Sequence, residues 1–243
     1  MHLIKLSAIA STNSYLKELN SEIPLNDETV VCANSQLSGR GQRGASWYSE
    51  PGKSLTFSLL KRYSQLPTEQ SVAINLAVSL SVASVLDSLE VPEVSVKWPN
   101  DIMSANKKIA GILIENQLQG ENIVSSVIGI GINVNNKNFA DLPNAGSLLL
   151  ATGKAYDLDL VIETVGESVF EELRNIHSAP FEIIHSKYES RLFRKGIISE
   201  FKRADGTRFN GRIAGVNRSG DLVVELESGV SEKFQLKEIE LLL

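Results

Sequence analysis

The chain is poor in the residues that build covalent or metal cross-links: it holds one cysteine, Cys32, and three histidines, His2, His177 and His185, in 243 residues. A single thiol excludes an internal disulfide and fits a reducing compartment. Histidines scattered without cysteine partners give no zinc-type spacing. Positive charge is not in excess either, because 24 Lys and Arg face 29 Asp and Glu for a net charge of −5. That balance argues against a nucleic-acid-binding role, which usually requires a basic surface. Long apolar runs are also missing. Residues 72–86 come nearest, apolar apart from Asn75 and serines, but they fall short of the roughly 20 residues that span a bilayer. A buried helix is the expectation there. The start, Met1-His2-Leu3-Ile4-Lys5, has no long apolar core and no cleavage signature after it, so no signal peptide is evident. These absences predict a cytoplasmic protein with neither DNA nor a membrane as partner.

What is present is ordinary globular material, sized for one large domain or one domain with a small appendage. Residues 3–9 predict a strand, and Ser11-Thr12-Asn13 offers N-cap side chains for a helix to about Leu19. β-Branched and alternating runs predict strands at 29–33, 55–60, 94–98, 108–115 and 124–134. Residues 68–89 predict one long helix buried on most sides. From Asp159 to about Phe193 the pattern is helical, broken near Ala179-Pro180. Beyond Gly196, short strand runs are separated by Asp205-Gly206, Arg218-Ser219-Gly220-Asp221 and Glu227-Ser228-Gly229. That rhythm predicts a small all-β unit, a barrel leaning on the main domain.

Residues 39–44 read Gly-Arg-Gly-Gln-Arg-Gly, which satisfies G-x-G-x-x-G by letter. That fingerprint works only when a helix N-terminus follows to meet a pyrophosphate. Here turn residues follow, Ser49-Glu50-Pro51-Gly52, and no acidic residue stands about 20 positions on. The dinucleotide reading fails, and a loop able to wrap an anion with arginine remains. Gly52-Lys53-Ser54 fails as a P-loop because Trp47 stands where the upstream glycine belongs. Trp47 itself is either an exposed indole able to stack on a base or a core tryptophan.

The strand Ile128-Gly129-Ile130-Gly131-Ile132-Asn133-Val134-Asn135 puts isoleucines on one face and Gly129, Gly131 and Asn133 on the other. A face without side chains leaves room for a ligand, or for close packing by a neighbouring element. Lys97-Trp98-Pro99-Asn100-Asp101 ends a strand with a lysine, an aromatic and a carboxylate together. Asp101 could hold a hard cation such as Mg²⁺, or the segment is simply a turn. Lys107-Lys108, read alone, is a solvated charge pair.

Taken together, Ser11-Thr12-Asn13, residues 36–47, 97–101 and 108–115, and the 129–133 strand appear in the order and spacing of biotin–protein ligases. The tail resembles their small SH3-like C-terminal domain, so the resemblance covers nearly the whole chain. It implies an α+β fold: a mixed-sheet catalytic domain packed with helices at 1–194, and an SH3-like β-barrel at 195–243. The family's winged helix is not expected, because Ser11 begins only ten residues in. The resemblance implies a ligase that joins biotin to ATP as biotinyl-5′-AMP, with Mg²⁺, and passes the biotinyl group to a lysine of a biotin carboxyl carrier domain. The enzyme would act as a monomer or homodimer.

By the same resemblance, Arg40 and Lys108 are the catalytic cations. Ser11, Thr12, Asn13, Gln36, Gly39, Arg40, Gly41, Gln42 and Lys108 bind biotin. Arg40, Trp47, Lys97, Lys108, Gly129, Gly131 and Asn133 bind ATP or the adenylate, and Asp101 holds Mg²⁺. The loop at 39–44 is the natural lid, with glycine hinges and arginine clamps. The chain departs from the usual family loop at Gln42, where arginine is common, and at Ala45, near which a second basic residue often stands. If Lys108 and Gly111 both touch ligand, simple alternation requires a bulge near Lys108. Lipoate ligases, which do the same two-step chemistry, and a non-enzymatic biotin- or nucleotide-binding protein are the alternatives.

Overall fold

The computed structural model describes residues 1–139 and 142–242, apart from the Arg43 side chain. A seven-stranded sheet runs in the order β1(His2–Ile9), β2(Thr29–Gln36), β3(Ser54–Pro67), β7(Asn122–Asn133), β6(Lys107–Gln119), β5(Asp101–Ser104), β4(Val94–Lys97). β1 and β2 pair in parallel and every other neighbour is antiparallel, so the sheet is mixed, as expected.

Strand alternation divides its two faces. Phe57, Leu59, Ile128, Ile130 and Ile132 bury on one face in the main core with α2(Ser71–Ser88) and α4(Leu158–Arg174). Each such side chain contributes about 1.5–3 kcal/mol when fully buried. α2 and the turn before it are long and apolar enough to cross a membrane, but 61% of their apolar 18-residue window is buried inside the fold, which makes it a core helix. α5(Phe181–Ser190) follows Pro180, where the helical pattern breaks. A short α3(Leu148–Thr152), capped by Ser147, went unread in the sequence.

The opposite face is covered by α1(Thr12–Glu22), whose Leu16 packs on Val31, Leu60 and Val127. Gly129 and Gly131 lie on this second face, beside Ser58 and Thr56. One face of the sheet therefore stabilises the fold, and the other leaves space beside a single helix.

The tail forms an antiparallel sheet in the order β11(Ser231–Phe234), β10(Leu222–Leu226), β9(Arg208–Val216), β8(Ile198–Arg203), β12(Ile239–Leu241). The expected barrel is not closed among the described residues. β11 and β12 are the two edges, and they are too short to wrap round and pair. Phe201, Ile213, Val216, Leu222, Val224 and Phe234 instead bury in the same core as Val96, Ile184 and Tyr188. The tail thus leans on the main sheet, as its sparse apolar content predicts.

Candidate active site

The first turn of α1, the loop after β2 and the strands β3, β6 and β7 enclose a cavity of about 220 Å³ on the glycine face. Ser11 caps α1 by accepting from Ser14 N, which fixes Thr12 and Asn13 over the sheet. Thr12 donates to Gln36 Oε1 from its backbone N–H at 2.8 Å and its hydroxyl at 3.1 Å. The Ser58 hydroxyl lies 2.8 Å from Thr12 Oγ1 and 2.5 Å from Asn13 Oδ1. Asn13 Nδ2 donates to Glu115 Oε2 at 3.0 Å and to the Leu113 carbonyl at 3.3 Å. Thr12, Asn13 and Ser58 are all buried. An unsatisfied buried polar group costs about 1–3 kcal/mol, so this interlocked set is held in one arrangement by its own bonds.

The loop after β2 is a small hairpin. Arg40 bridges Ser46, Gly41 N donates to Ala45 O at 2.6 Å, and Trp47 N donates to Gly39 O at 2.9 Å. A Cβ at Gly39 would stand 2.3 Å from Trp47 O, so only glycine lets the hairpin close. Gln42 opens a single 3₁₀ turn at the tip and also lines the cavity.

Two cations face the space between this hairpin and the sheet. Arg40 Nη2 lies 3.3 Å from Glu115 Oε2, and Lys108 Nζ lies 2.6 Å from Asp101 Oδ1 and 5.4 Å from the Trp47 ring centre. Lys108 reaches the site through the bulge its spacing demanded. Ile102 pairs with Ala110 and Met103 with Lys108, leaving Ile109 as the extra residue. A Cβ at Gly111 would consequently sit 3.4 Å from Lys108 Nζ. Such partly exposed ion pairs are worth about 0–1 kcal/mol, so either cation can exchange its carboxylate for a phosphate at little cost.

The glycine bed is occupied by the protein's own side chains. A Cβ on Gly129 would meet Asn13 Oδ1 at 2.3 Å, and one on Gly131 would meet Trp47 Cε2 at 2.3 Å. Close packing therefore fills this face, and the residues that fill it, Asn13 and Trp47, line the cavity. Trp47 is half-buried, and its Nε1 is buried without a hydrogen-bond partner among the described residues.

The match to known proteins follows these residues. The biotin/lipoate A/B protein ligase family matches residues 6–133, from β1 to the end of the glycine strand. A bifunctional ligase/repressor BirA from Bacillus spizizenii is 31% identical, over 99% of this chain and 74% of that protein. The chain belongs to this ligase family. A biotin–[acetyl-CoA-carboxylase] ligase of Paracoccus denitrificans is 26% identical over 91% of this chain and 94% of its own. Among solved structures, a biotin protein ligase from Aquifex aeolicus in complex with biotin and ATP superposes with a TM-score of 0.79 at 28% identity. That likeness covers 99% of this chain and 98% of the Aquifex one.

Within this family member, the cavity gathers most of the residues singled out from the sequence, but not all. Gly39 stands outside the lining, in the base of the hairpin, Lys97 lies on a second cavity, and Asn133 is buried with its Nδ2 donating to the Gly146 carbonyl at 2.9 Å. Ser58 and Glu115 are the site residues that sequence reasoning missed. Both were findable: alternation puts Ser58 on the same face as Thr56, and Glu115 on the same face as Gly111.

Asp101 is the carboxylate nearest to hand for a hard cation, which would draw its other ligands from phosphate and water. Asp101 is one carboxylate already paired with Lys108, and no group of three His, Cys, Asp or Glu among the described residues could hold a metal ion.

Burial raises the pKa of Glu115, but hydrogen bonds from Lys17 and Asn13 outweigh it and hold the carboxyl below its ordinary range. A lowered carboxylate contributes stability above its unfolded pKa, about 4.3, and loses it as pH falls through the lower folded value. Glu115→Gln is thus expected to flatten the acid limb of the stability–pH curve and to raise the KM for biotin severalfold. Chemical denaturation against pH and steady-state kinetics read the two effects.

Proposed function

We infer that this chain is a biotin–protein ligase. It activates biotin with ATP to biotinyl-5′-AMP and pyrophosphate, then transfers the biotinyl group to a lysine of a biotin carboxyl carrier domain. The observation that carries this is the cavity's division into a neutral, hydrogen-bonding end and a cationic end under one lid. The ureido head of biotin is neutral and needs paired donors and acceptors, which Gln36, bonded to Thr12, and Thr12 and Asn13, bonded to Ser58, supply together. Polar groups that give up these mutual bonds for a ligand are left unpaired by one that cannot hydrogen-bond, and the site then rejects it, which disfavours the dithiolane ring of lipoate.

At the other end a biotin carboxylate oxygen bonds to the α-phosphorus of ATP, and the bond from that phosphorus to the bridging oxygen breaks. Anion meets anion in this step, so preorganised cations are the main catalytic device. Arg40 and Lys108 take that role, with Lys97 assisting further along the triphosphate. Glu115 and Asp101 hold the first two in place until substrate replaces them. Trp47 and the glycine strand take the adenine, and Asn133 supports that end through the Gly146 carbonyl. Ser11, Gly39, Gly41 and Gln42 shape the biotin end and its lid. Mg²⁺ would come with the triphosphate, drawing most of its ligands from phosphate and water. The mixed anhydride stays non-covalently bound, and the lid over it excludes water and stray amines.

We assign residues 1–194 to catalysis and 195–243 to a small SH3-like unit, in a cytoplasmic enzyme. Biotin-dependent exchange of pyrophosphate into ATP, followed by single-turnover transfer to a purified carrier domain, tests the reading. Exchange supported by lipoate and not biotin, or no transfer at all, would overturn it. Gln42→Arg is expected to slow release of free adenylate severalfold by adding a cation to the lid. A release assay with unchanged rates would remove Gln42 from control of retention.

A further inference from the structure

Lys108 lies in β6 beyond the reach of β7, because the β6–β7 ladder stops at Ala110 opposite Ile132. A short segment of the loop after β7 takes that strand's place. Residues 144–146 run alongside Lys108, parallel to it. The Lys108 N–H donates to the Asn144 carbonyl at 2.7 Å, and the Lys108 carbonyl accepts from Gly146 N at 2.9 Å. Both backbone groups of the lysine are thus committed to this segment, at the bulge where the β5–β6 register slips. The approach is close: a Cβ on Gly146 would stand 2.8 Å from Lys107 Cβ. The segment is tied in turn by Asn133, the last residue of β7, which is 6% exposed and whose Nδ2 donates to the Gly146 carbonyl at 2.9 Å. Its other ties are an exposed bond from Lys107 Nζ to the Pro143 carbonyl and one from Ser147 Oγ to the Asn136 carbonyl. Gly146 therefore gives its N–H to Lys108 and takes its own bond from Asn133. The resemblance gives Asn133 a contact with adenine, yet its amide donor is already in use.

We propose that Asn133 is a positioning residue for Lys108: it latches the 144–146 segment, and the segment fixes the backbone from which the catalytic ammonium reaches the α-phosphate. The proposal rests on the ligase reading and on Lys108 as its cation. In the resting site Asp101 also aims the ammonium, at 2.6 Å, but phosphate replaces that carboxylate when ATP binds. A lysine carries its charge on a flexible four-carbon stem. Once Asp101 has let go, the placement of Nζ depends on where the backbone of Lys108 is anchored, and the bonds to Asn144 and Gly146 are that anchor. A buried carbonyl left without its donor is costly, so the segment keeps one arrangement while Asn133 holds it. The cation is then in place before charge develops, which is the condition for electrostatic catalysis.

The test is biotin-dependent ATP–pyrophosphate exchange. Asn133→Ala is expected to lower kcat roughly tenfold, the rate equivalent of one buried hydrogen bond, and to move the KM for biotin by less than about twofold. In a Lys108→Ala background the same change should alter exchange by less than about twofold, because the latch then has no cation to place. A merely structural role would cost the same in both backgrounds. Gly146→Ala forces the segment away from Lys107 and is expected to repeat this pattern with Asn133 intact, so the outcome does not depend on one variant folding. The preference for ATP over inosine triphosphate, which lacks the amino group of adenine, should stay at its wild-type value in Asn133→Ala. Equal losses in both backgrounds, or a lost preference for adenine, would overturn this assignment and leave the ligase reading in place. A wild type inactive in exchange would overturn the ligase reading and the assignment with it.

Discussion

Lys108→Ala is expected to lower biotin-dependent ATP–pyrophosphate exchange by about 10²–10³-fold, the usual cost of removing one preorganised group that stabilises transition-state charge. The fold should barely register the change. In the resting structure Lys108 contributes a partly exposed pair with Asp101 and a 5.4 Å approach to the Trp47 ring. Together these are worth roughly 1 kcal/mol, which moves the melting temperature of a chain this size by about 2–4 °C. Large kinetic loss with small thermal loss is what separates a catalytic cation from a structural one. Lys108→Arg keeps the charge but spreads it over a planar fork that must fit beside Trp47 and Gly111, so partial rescue is expected. Exchange that persists near the wild-type rate in the alanine variant would show that the charge is supplied elsewhere.

How far the site could be read from the sequence depended on whether a feature was local. The Ile128-Gly129-Ile130-Gly131-Ile132 alternation is local, and it separated the structural face of the sheet from the open one. The Lys108–Gly111 spacing was also sufficient: both residues could share a face only across a bulge, and the bulge falls at Ile109. The four-residue strand Asp101–Ser104 was missed because it follows Pro99-Asn100, which reads as a turn. Its existence depends on pairing with β4 and β6 at once, which no local pattern encodes.

Contacts made across the chain were harder still. Ser58 meets Asn13 over a separation of 45 residues, and Glu115 meets Asn13 over 102. Each was one polar residue on a strand until the fold brought α1 onto it. The tail shows the same limit at the level of architecture. Regular turn spacing identified a small β unit, but closure depends on the length of its edge strands, and β12 has only three residues. Its apolar side chains found their core by packing on the main sheet.

Gly131→Ala and Gly129→Ala should separate the two substrates, although they differ by one methyl each on the same strand face. At Gly131 the new Cβ would lie 2.3 Å from Trp47 Cε2 and 2.6 Å from its Nε1 and Cζ2. The indole is rigid, and the strand is central in the sheet with partners on both sides, so the indole must give way. Moving it pulls on the hydrogen bond from Trp47 N to Gly39 O and opens the hairpin that forms the lid. Loss of a stacking platform is worth about 1–3 kcal/mol, so the variant is expected to raise the KM for ATP by about ten- to a hundredfold. Tryptophan fluorescence should shift to the red as Trp47 is exposed.

At Gly129 the obstacle is Asn13, whose Oδ1 would stand 2.3 Å from the new atom. Asn13 is held by Ser58, Glu115 and the Leu113 carbonyl. Displacing it breaks the polar end while leaving Trp47 on Gly131, so the KM for biotin should rise at least as steeply and the fluorescence should stay unchanged. The distinction follows from which side chain each glycine admits. If both variants raised both KM values equally, the cavity would not be divided into a biotin end and an adenylate end, and the residue roles assigned to its two halves would fall together.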